Sequence, residues 1–169
     1  MPLQPRAPAS TTPLFLRDLT EDDLPVLFEH QRDPDANRMA AFPARDREAF
    51  MSHWAKILAD EAIIKKAIVF GGQVAGNVVS FELDGEREVG YWIGRSFWGQ
   101  GIASEALSLF LHHDPTRPLY ARVAKHNVAS LRVLDRCGFR VSNDDDGWIN
   151  PAGTRVEGVL LTLDGDAKG

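Results

Sequence analysis

Cysteine is almost missing from this sequence, since Cys137 is the only one among 169 residues. A single thiol cannot form a disulfide within the chain, nor can it assemble a cysteine-based zinc or iron–sulfur site. Long apolar runs are also missing, because none approaches the ~20 residues needed to span a bilayer. Residues 1–13 lack the apolar segment of a secretory signal. We therefore expect a cytoplasmic protein with no membrane partner.

The sequence also has no excess of basic residues. The chain has 19 lysines and arginines against 24 aspartates and glutamates, which gives a formal net charge of −5. A nucleic-acid binder neutralises phosphates with a basic face, and no lysine and arginine cluster of useful length occurs here. The acidity is that of an ordinary solvated surface, although it also favours a cationic substrate such as an amine. We expect no nucleic-acid partner.

The sequence also lacks histidines and acidic residues at the spacings typical of a metal site. The five histidines include no His-x-x-x-His pair, which is the spacing that places two ligands on one helix face. His112 and His113 are adjacent, so on a helix their side chains point about 100° apart. The acidic run at residues 144–146 lacks the alternating ligands and the distal glutamate of a calcium loop. We expect no metal.

The chain does contain enough apolar residues for one core. Hydrophobic residues make up 44% of it, and a chain of this length buries roughly 70% of its unfolded surface. No linker or internal repeat interrupts residues 14–164. The sequence therefore predicts one domain over residues 14–164, between a flexible N-terminal tail at 1–13 and a flexible C-terminal tail at 165–169.

Apolar residues recur with helical spacing in some segments and in short β-rich runs in others. Helices are expected at about residues 20–32, 46–60, 102–111 and 127–136. Strands are expected at residues 14–19, 67–70, 74–83, 88–93, 119–124, 139–141 and 155–163. Residues 33–45 read as irregular, and residues 143–147 and 150–153 read as turns. The pattern predicts an α/β (α+β) domain with a mixed sheet.

The most informative stretch is residues 89–107, where a strand leads through Gly99-Gln100-Gly101 directly into a helix. Glycines leave the backbone open to a ligand, and the free N–H groups and dipole of a helix start attract a pyrophosphate. Alone, this pattern also fits a tight turn with no ligand. A dinucleotide site is disfavoured, because Ser104 replaces the third glycine and Leu119-Tyr120 stands where an acidic residue is needed. No Gly-Lys-Ser/Thr follows, which excludes a P-loop.

Two blocks of this sequence resemble the GNAT superfamily of acetyl-CoA-dependent N-acetyltransferases, in particular its RimJ/RimL-like branch. The first block is Gly90-Tyr91-Trp92-Ile93 with Trp98-Gly99-Gln100-Gly101-Ile102-Ala103. The second runs from Asn127-Val128-Ala129-Ser130 to Gly138-Phe139. The resemblance implies a mostly antiparallel sheet of about seven strands, flanked by about four helices, with two strands splayed apart at the acetyl-CoA site.

The resemblance also implies how acetyl-CoA would be held. Residues 98–103 match the family's pyrophosphate loop, although Trp98 replaces the usual arginine or glutamine. The strand from residue 92 to 95 would hold the pantetheine arm, and Asn127 would lie near it, where a plain helix cap is the alternative role. The expected contacts are Trp92, Ile93, Arg95, Trp98, Gly99, Gln100, Gly101, Ile102, Ala103, Ser104, Asn127, Ser130 and Arg132.

The implied reaction is direct attack of an amine on the thioester, followed by departure of the thiolate. Ser130 or water would donate the proton to the thiolate, because Leu134 stands where many relatives have a tyrosine, and a helix-surface hydroxyl is the alternative role of Ser130. The amine must lose a proton, and Glu88 is the candidate base; an exposed hairpin carboxylate is its alternative role. Cys137 precedes the capping Gly138, which favours a packing residue over a nucleophile.

The expected partner is an amine substrate, either a small molecule or a protein N-terminus. Its identity is not encoded in a motif, and residues 33–45 and 143–153 are expected to shape its site. A non-catalytic acyl-CoA-binding module of the same fold is the alternative function. Monomer and homodimer are both compatible with the sequence.

Overall fold

The computed structural model describes residues 12–165, except for the side chains of residues 143–146. Residues 1–11 and 166–169, on which most of the two predicted tails fall, lie outside the described residues. None of the helices between residues 12 and 165 is long and apolar enough to cross a membrane.

The described residues form seven strands and five α-helices. The strands are β1 Leu14–Asp18, β2 Ile64–Phe70, β3 Gln73–Leu83, β4 Glu86–Ile93, β5 Leu119–Ala124, β6 Arg140–Ile149 and β7 Arg155–Leu163. The helices are α1 Leu24–Gln31, α2 Pro34–Ala40, α3 Arg47–Ala59, α4 Ile102–Phe110 and α5 Val128–Arg136. All seven strands join one sheet in the order β1-β2-β3-β4-β5-β7-β6.

The pairing of the sheet is antiparallel except between β4 and β5, which run parallel. Tight turns join β2 to β3 and β3 to β4, where Gly72 and Gly85 adopt positive φ angles of 79° and 82°. The parallel β4–β5 connection instead carries α4, because a parallel crossover needs a long connection. The predicted mixed, mostly antiparallel α/β fold is confirmed.

Two apolar clusters hold the helices on the sheet. The first packs α4 and α5 against the central strands, and Phe110 and Phe139 are fully buried in it. The second lies under α1 and α3, where Phe28, Phe50 and Trp54 pack on Ala67 of β2. The apolar residues that recur with helical spacing in the sequence form the faces that these helices bury.

Helix α2 corrects the prediction of an irregular segment at residues 33–45. Asp33 caps the helix by accepting hydrogen bonds from the N–H groups of Asp35 and Ala36, at 2.8 and 3.3 Å. Pro34 occupies the first helical position, where it costs no hydrogen bond. Ala41 ends the helix with a φ of 54°. The Asp-Pro pair that reads as a helix stop therefore starts a new short helix.

Strand β6 corrects the prediction of a turn at residues 143–147. The strand runs through these residues and pairs with β7, with register shifts between Val141 and Asn143 and between Asp145 and Trp148. Gly147 has a φ of 87° at the second irregularity. Pairing with β7 thus overrides the local turn preference, and the irregularities absorb the residues that fit a strand poorly. The turn at residues 150–153 joins β6 to β7.

Candidate functional site

Strands β4 and β5 separate and open a cleft in the sheet. In the described chain they share a single pair of residues, Glu88 opposite Tyr120. Beyond that point β4 stays paired with β3 as far as Ile93, and β5 stays paired with β7 as far as Ala124. The free edge of β4 therefore faces a gap. A cleft of about 580 Å³ lies there, between this edge, the start of α4, α5 and α2.

Most of the predicted coenzyme contacts lie together in this cleft. Those that line it are Trp92, Ile93, Trp98, Gly99, Gly101, Ile102, Ala103, Ser104, Asn127, Ser130 and Arg132. Gln100 and Arg95 are exposed residues outside this lining. The sequence did not predict that α2 forms the opposite wall through Ala36, Met39 and Ala40. The signal that could have found this wall is the pair Asp33-Pro34, a capping residue followed by a proline at the first helical position.

The start of α4 has the properties of an anion site. Gly99 and Gly101 have φ angles of 78° and 75°, a conformation that other residues adopt only with strain. A β-carbon at either position would meet no heavy atom of the described chain within 4 Å. Within residues 12–165 no side chain caps α4, whereas Asp33, Asp46 and Asn127 cap α2, α3 and α5. The first N–H groups of α4 are thus left to a ligand, and they fit a diphosphate.

Trp98 fastens the glycine loop to β4. Its indole N–H donates a hydrogen bond of 2.9 Å to the carbonyl oxygen of Ile93. The N–H and C=O groups of one strand residue point to the same side, so the N–H of Ile93 also faces the free edge. A carbonyl has two lone pairs, so the Ile93 oxygen can still accept from a ligand. Trp98 therefore anchors the loop to β4 through its side chain.

Asn127 and Ser130 lie at the start of α5, on the other side of the cleft. The Asn127 side-chain oxygen accepts a hydrogen bond of 3.2 Å from the N–H of Ser130, so Asn127 is the helix cap. The Ser130 hydroxyl lies 2.6 Å from the phenol oxygen of Tyr91, which reaches it from β4. Burial raises the pKa of Tyr91 to about 12. The sequence did not single out Tyr91, because 39 residues separate it from Ser130.

The cationic side chains near the cleft differ in their surroundings. Arg132 lines the cleft, and so does Arg136 one turn further along α5. Arg95 forms ion pairs with Asp33, at 3.6 Å, and with Asp35. These pairs join the segment after β4 to the start of α2. Arg132 and Arg136 are therefore placed to attract phosphate groups, while Arg95 holds a wall of the cleft.

Glu88 lies at the base of the gap and outside the cleft lining. It is buried, with 5% of its surface exposed, which differs from an exposed hairpin carboxylate. Its carboxylate accepts from the Nε of Arg122 on β5, at 3.2 Å. The structure therefore brings Glu88 close to the divergence of the strands.

Cys137 is half-buried at the end of α5, and its thiol lies 3.5 Å from the carbonyl oxygen of Ser104. Burial raises the pKa of this thiol, which is the opposite of what a nucleophilic thiolate needs. The side chains described between residues 12 and 165 include no group of three or more histidines, cysteines, aspartates or glutamates that could hold a metal ion.

A second pocket, of about 740 Å³, lies on the other side of α2. Its walls are α2 and the chain that follows it, the β5–α5 connection, the β6–β7 turn and the start of β7. Arg38, Phe42, Lys125, His126 and Glu157 are among the residues that line it. His126 Nε2 lies 2.8 Å from the carbonyl oxygen of Arg38, which joins the two walls. The two segments that the sequence assigned to the acceptor site thus meet at one pocket.

Comparison with known proteins agrees with this geometry. The profile of the acetyltransferase (GNAT) domain family matches residues 13–140. A curated protein of Bacillus licheniformis, the uncharacterized N-acetyltransferase p20, is 26% identical over 144 residues, which covers 77% of this chain and 80% of that protein.

Two solved structures show the same fold. The ribosomal L7/L12 alpha-N-protein acetyltransferase RimL, in complex with coenzyme A, has a TM-score of 0.77 and 23% identity, covering 95% of this chain and 98% of that chain. The spermidine N-acetyltransferase of Vibrio cholerae, in complex with CoA and spermine, has a TM-score of 0.76 and 17% identity, covering 89% and 95%.

Proposed function

This chain belongs to the GNAT acetyltransferase family, and on that premise we propose that it transfers the acetyl group of acetyl-CoA directly to a primary amine. The observation that carries the proposal is the uncapped start of α4 beside the free edge of β4. An N-acetyltransferase needs both features, one for the diphosphate and one for the pantetheine arm. We assign the activity to a single domain over residues 14–164, acting in the cytoplasm.

The residues of the cleft would hold two parts of the coenzyme, the diphosphate and the pantetheine arm. The N–H groups that follow Gly101 would bind the diphosphate, with Arg132 and Arg136 adding positive charge. The free edge of β4 near Ile93 would bind the amides of the pantetheine arm. The coenzyme supplies the acetyl group as a thioester, which an amine attacks without a covalent enzyme intermediate. No metal is assigned a part.

The chemistry would then depend on groups at the open ends of β4 and α5. The N–H of Ile93 is available to stabilise the oxyanion that forms when the amine attacks. The Ser130 hydroxyl is available to the departing sulfur. Glu88 is the proposed base, and because it lies outside the cleft lining it would act through water.

The pocket beyond α2 is the proposed acceptor site. It lies across α2 from the cleft. Ala40 and Asn127 line the cleft, and their chain neighbours Ala41 and His126 line the pocket. The neighbours named above include an enzyme for a protein α-amine and one for spermidine. Their common feature is a primary amine, so we propose that class of acceptor, within the RimJ/RimL-like branch.

Release of free thiol from acetyl-CoA tests the proposed function. The purified protein would be assayed with peptides that have free α-amines, with spermidine and with amino acids. The proposal predicts amine-dependent thiol release with at least one class. Binding of acetyl-CoA without thiol release across all three classes would contradict it and would favour the alternative, a non-catalytic acyl-CoA-binding module.

A further inference from the structure

The Tyr91–Ser130 contact joins the two sides of the cleft. Tyr91 lies on the part of β4 that has left β5, and Ser130 lies in the first turn of α5. Both side chains line the cleft, and their oxygens are 2.6 Å apart. This distance is short for a hydrogen bond between two hydroxyl groups.

The direction of this hydrogen bond follows from the two hydroxyl groups. A phenol is a stronger acid than an aliphatic alcohol, so it is the better donor. Burial raises the pKa of Tyr91 to about 12, so the phenol keeps its proton throughout the working pH range. Tyr91 therefore donates and Ser130 accepts. Among the described residues the Ser130 hydroxyl has no second hydrogen-bond partner, so its own hydrogen is left to point into the cleft.

We propose that Tyr91 is a positioning residue, which holds the Ser130 hydroxyl so that its hydrogen faces the departing sulfur. The inference rests on the proposed function. In the transfer, the amine nitrogen forms a bond to the acetyl carbon, and the carbon–sulfur bond breaks with its electron pair on sulfur. The attacking nitrogen loses one proton to the base through water, and the sulfur gains one from the Ser130 hydroxyl, which regains it from water, so the products are an amide and a thiol. Ser130 stabilises the charge on sulfur, and Tyr91 acts only through Ser130.

A purely structural role for Tyr91 makes different predictions. The Tyr91 ring packs against the main core cluster, and phenylalanine keeps that packing while it removes the hydroxyl. The change Tyr91→Phe therefore isolates the hydrogen bond. The chain has two tyrosines, and Tyr120 lies on β5 outside the cleft lining. Tyr120→Phe is thus a matched control that removes a phenol hydroxyl elsewhere.

The test measures kcat and KM for acetyl-CoA in Tyr91→Phe, Ser130→Ala, the double variant and Tyr120→Phe. Loss of the donor to sulfur lowers kcat about 100-fold in Ser130→Ala. Loss of one orienting hydrogen bond lowers kcat about 10-fold in Tyr91→Phe. KM for acetyl-CoA changes less than about 2-fold in both, and the double variant matches Ser130→Ala, since coupled residues are not additive.

Three results would overturn the inference. The first is a wild-type kcat in Tyr91→Phe. The second is a double variant whose loss equals the product of the two single losses, because Tyr91 would then act independently of Ser130. The third is an equal loss in Tyr120→Phe. An inactive wild-type protein would instead refute the proposed function, and the inference with it, so the two failures are distinguishable.

Discussion

The carboxylate of Glu88 and the guanidinium of Arg122 form an ion pair of 3.2 Å across the last rung that joins β4 to β5. The Glu88 side chain is 7% exposed and the Arg122 side chain 35%. Because the strands share only that rung in the described chain, the ion pair adds a second link where the cleft opens. Glu88 thus combines a structural contact with its proposed role as base.

Two substitutions separate these roles of Glu88. Both Glu88→Gln and Arg122→Gln break the ion pair, so each lowers the free energy of unfolding by about 1–3 kcal/mol. Only Glu88→Gln removes the carboxylate. We expect it to abolish the acid limb of the profile of kcat/KM against pH, while Arg122→Gln keeps that limb. If both variants keep it, Glu88 is a structural link and the base lies elsewhere.

Arg132 and Arg95 give a second matched pair. Arg132 lines the cleft, whereas Arg95 is held by Asp33 and Asp35. We expect Arg132→Ala to weaken coenzyme A binding about 10-fold, as the loss of a charge-assisted hydrogen bond does. Arg95→Ala should change it less than about 2-fold. Calorimetric titration measures both constants. An equal loss of affinity in Arg95→Ala would show that Arg95 breaks its ion pair with Asp35 and binds the coenzyme itself, as the sequence predicted.

His30 predicts a pH dependence of stability. Its ring packs under Gly94, where a β-carbon would lie 2.6 Å from it, and burial lowers its pKa from 6.5. The unfolded chain therefore takes up a proton at a higher pH than the folded one. The stability that neutral His30 contributes is complete above pH 6.5 and is lost as the pH falls towards the lowered pKa.

We expect the free energy of unfolding to fall between about pH 7 and 5, and His30→Gln to remove part of that slope. Burial also lowers the pKa of His53, so His53→Gln should remove a further part. Denaturant titrations across this pH range measure the slope. A slope that is the same in His30→Gln and the wild-type protein would contradict the assignment.

Local patterns explain how much the sequence predicted. Gly99 and Gly101 stand next to a helix start in the sequence, so the loop and most of its lining were predictable. Most strands were also predictable as short β-rich runs, although β2, β3 and β4 bury consecutive residues instead of alternating ones. The splay of β4 from β5 was available only through the resemblance to a family, since no local pattern marks where two strands stop pairing.

Long-range contacts explain what the sequence missed. Tyr91 meets Ser130 only because α5 packs beside the free edge of β4, and no spacing in the chain encodes that contact. Glu88 stands among exposed-looking carboxylates, but it is buried beside Arg122 of the neighbouring strand, a contact that no spacing in the sequence encodes. The run at residues 143–147 has the composition of a turn, yet β7 supplies hydrogen bonds that make it a strand.

The central claim is that the start of α4 binds the diphosphate of coenzyme A. Gly101 and Gly85 have φ angles of 75° and 82°, and a β-carbon at either would meet no heavy atom of the described residues within 4 Å. Alanine therefore costs each a similar backbone strain of about 1–2 kcal/mol. Only Gly101 lies in the cleft; Gly85 lies in the β3–β4 turn.

Calorimetric titration with coenzyme A of the wild-type protein, Gly101→Ala and Gly85→Ala tests that claim most directly. We expect the wild-type protein and Gly85→Ala to bind coenzyme A equally. Gly101→Ala should lose at least about 10-fold in affinity, because its methyl group occupies the path of the diphosphate. Absence of binding by the wild-type protein, or equal affinities in the two variants, would contradict it.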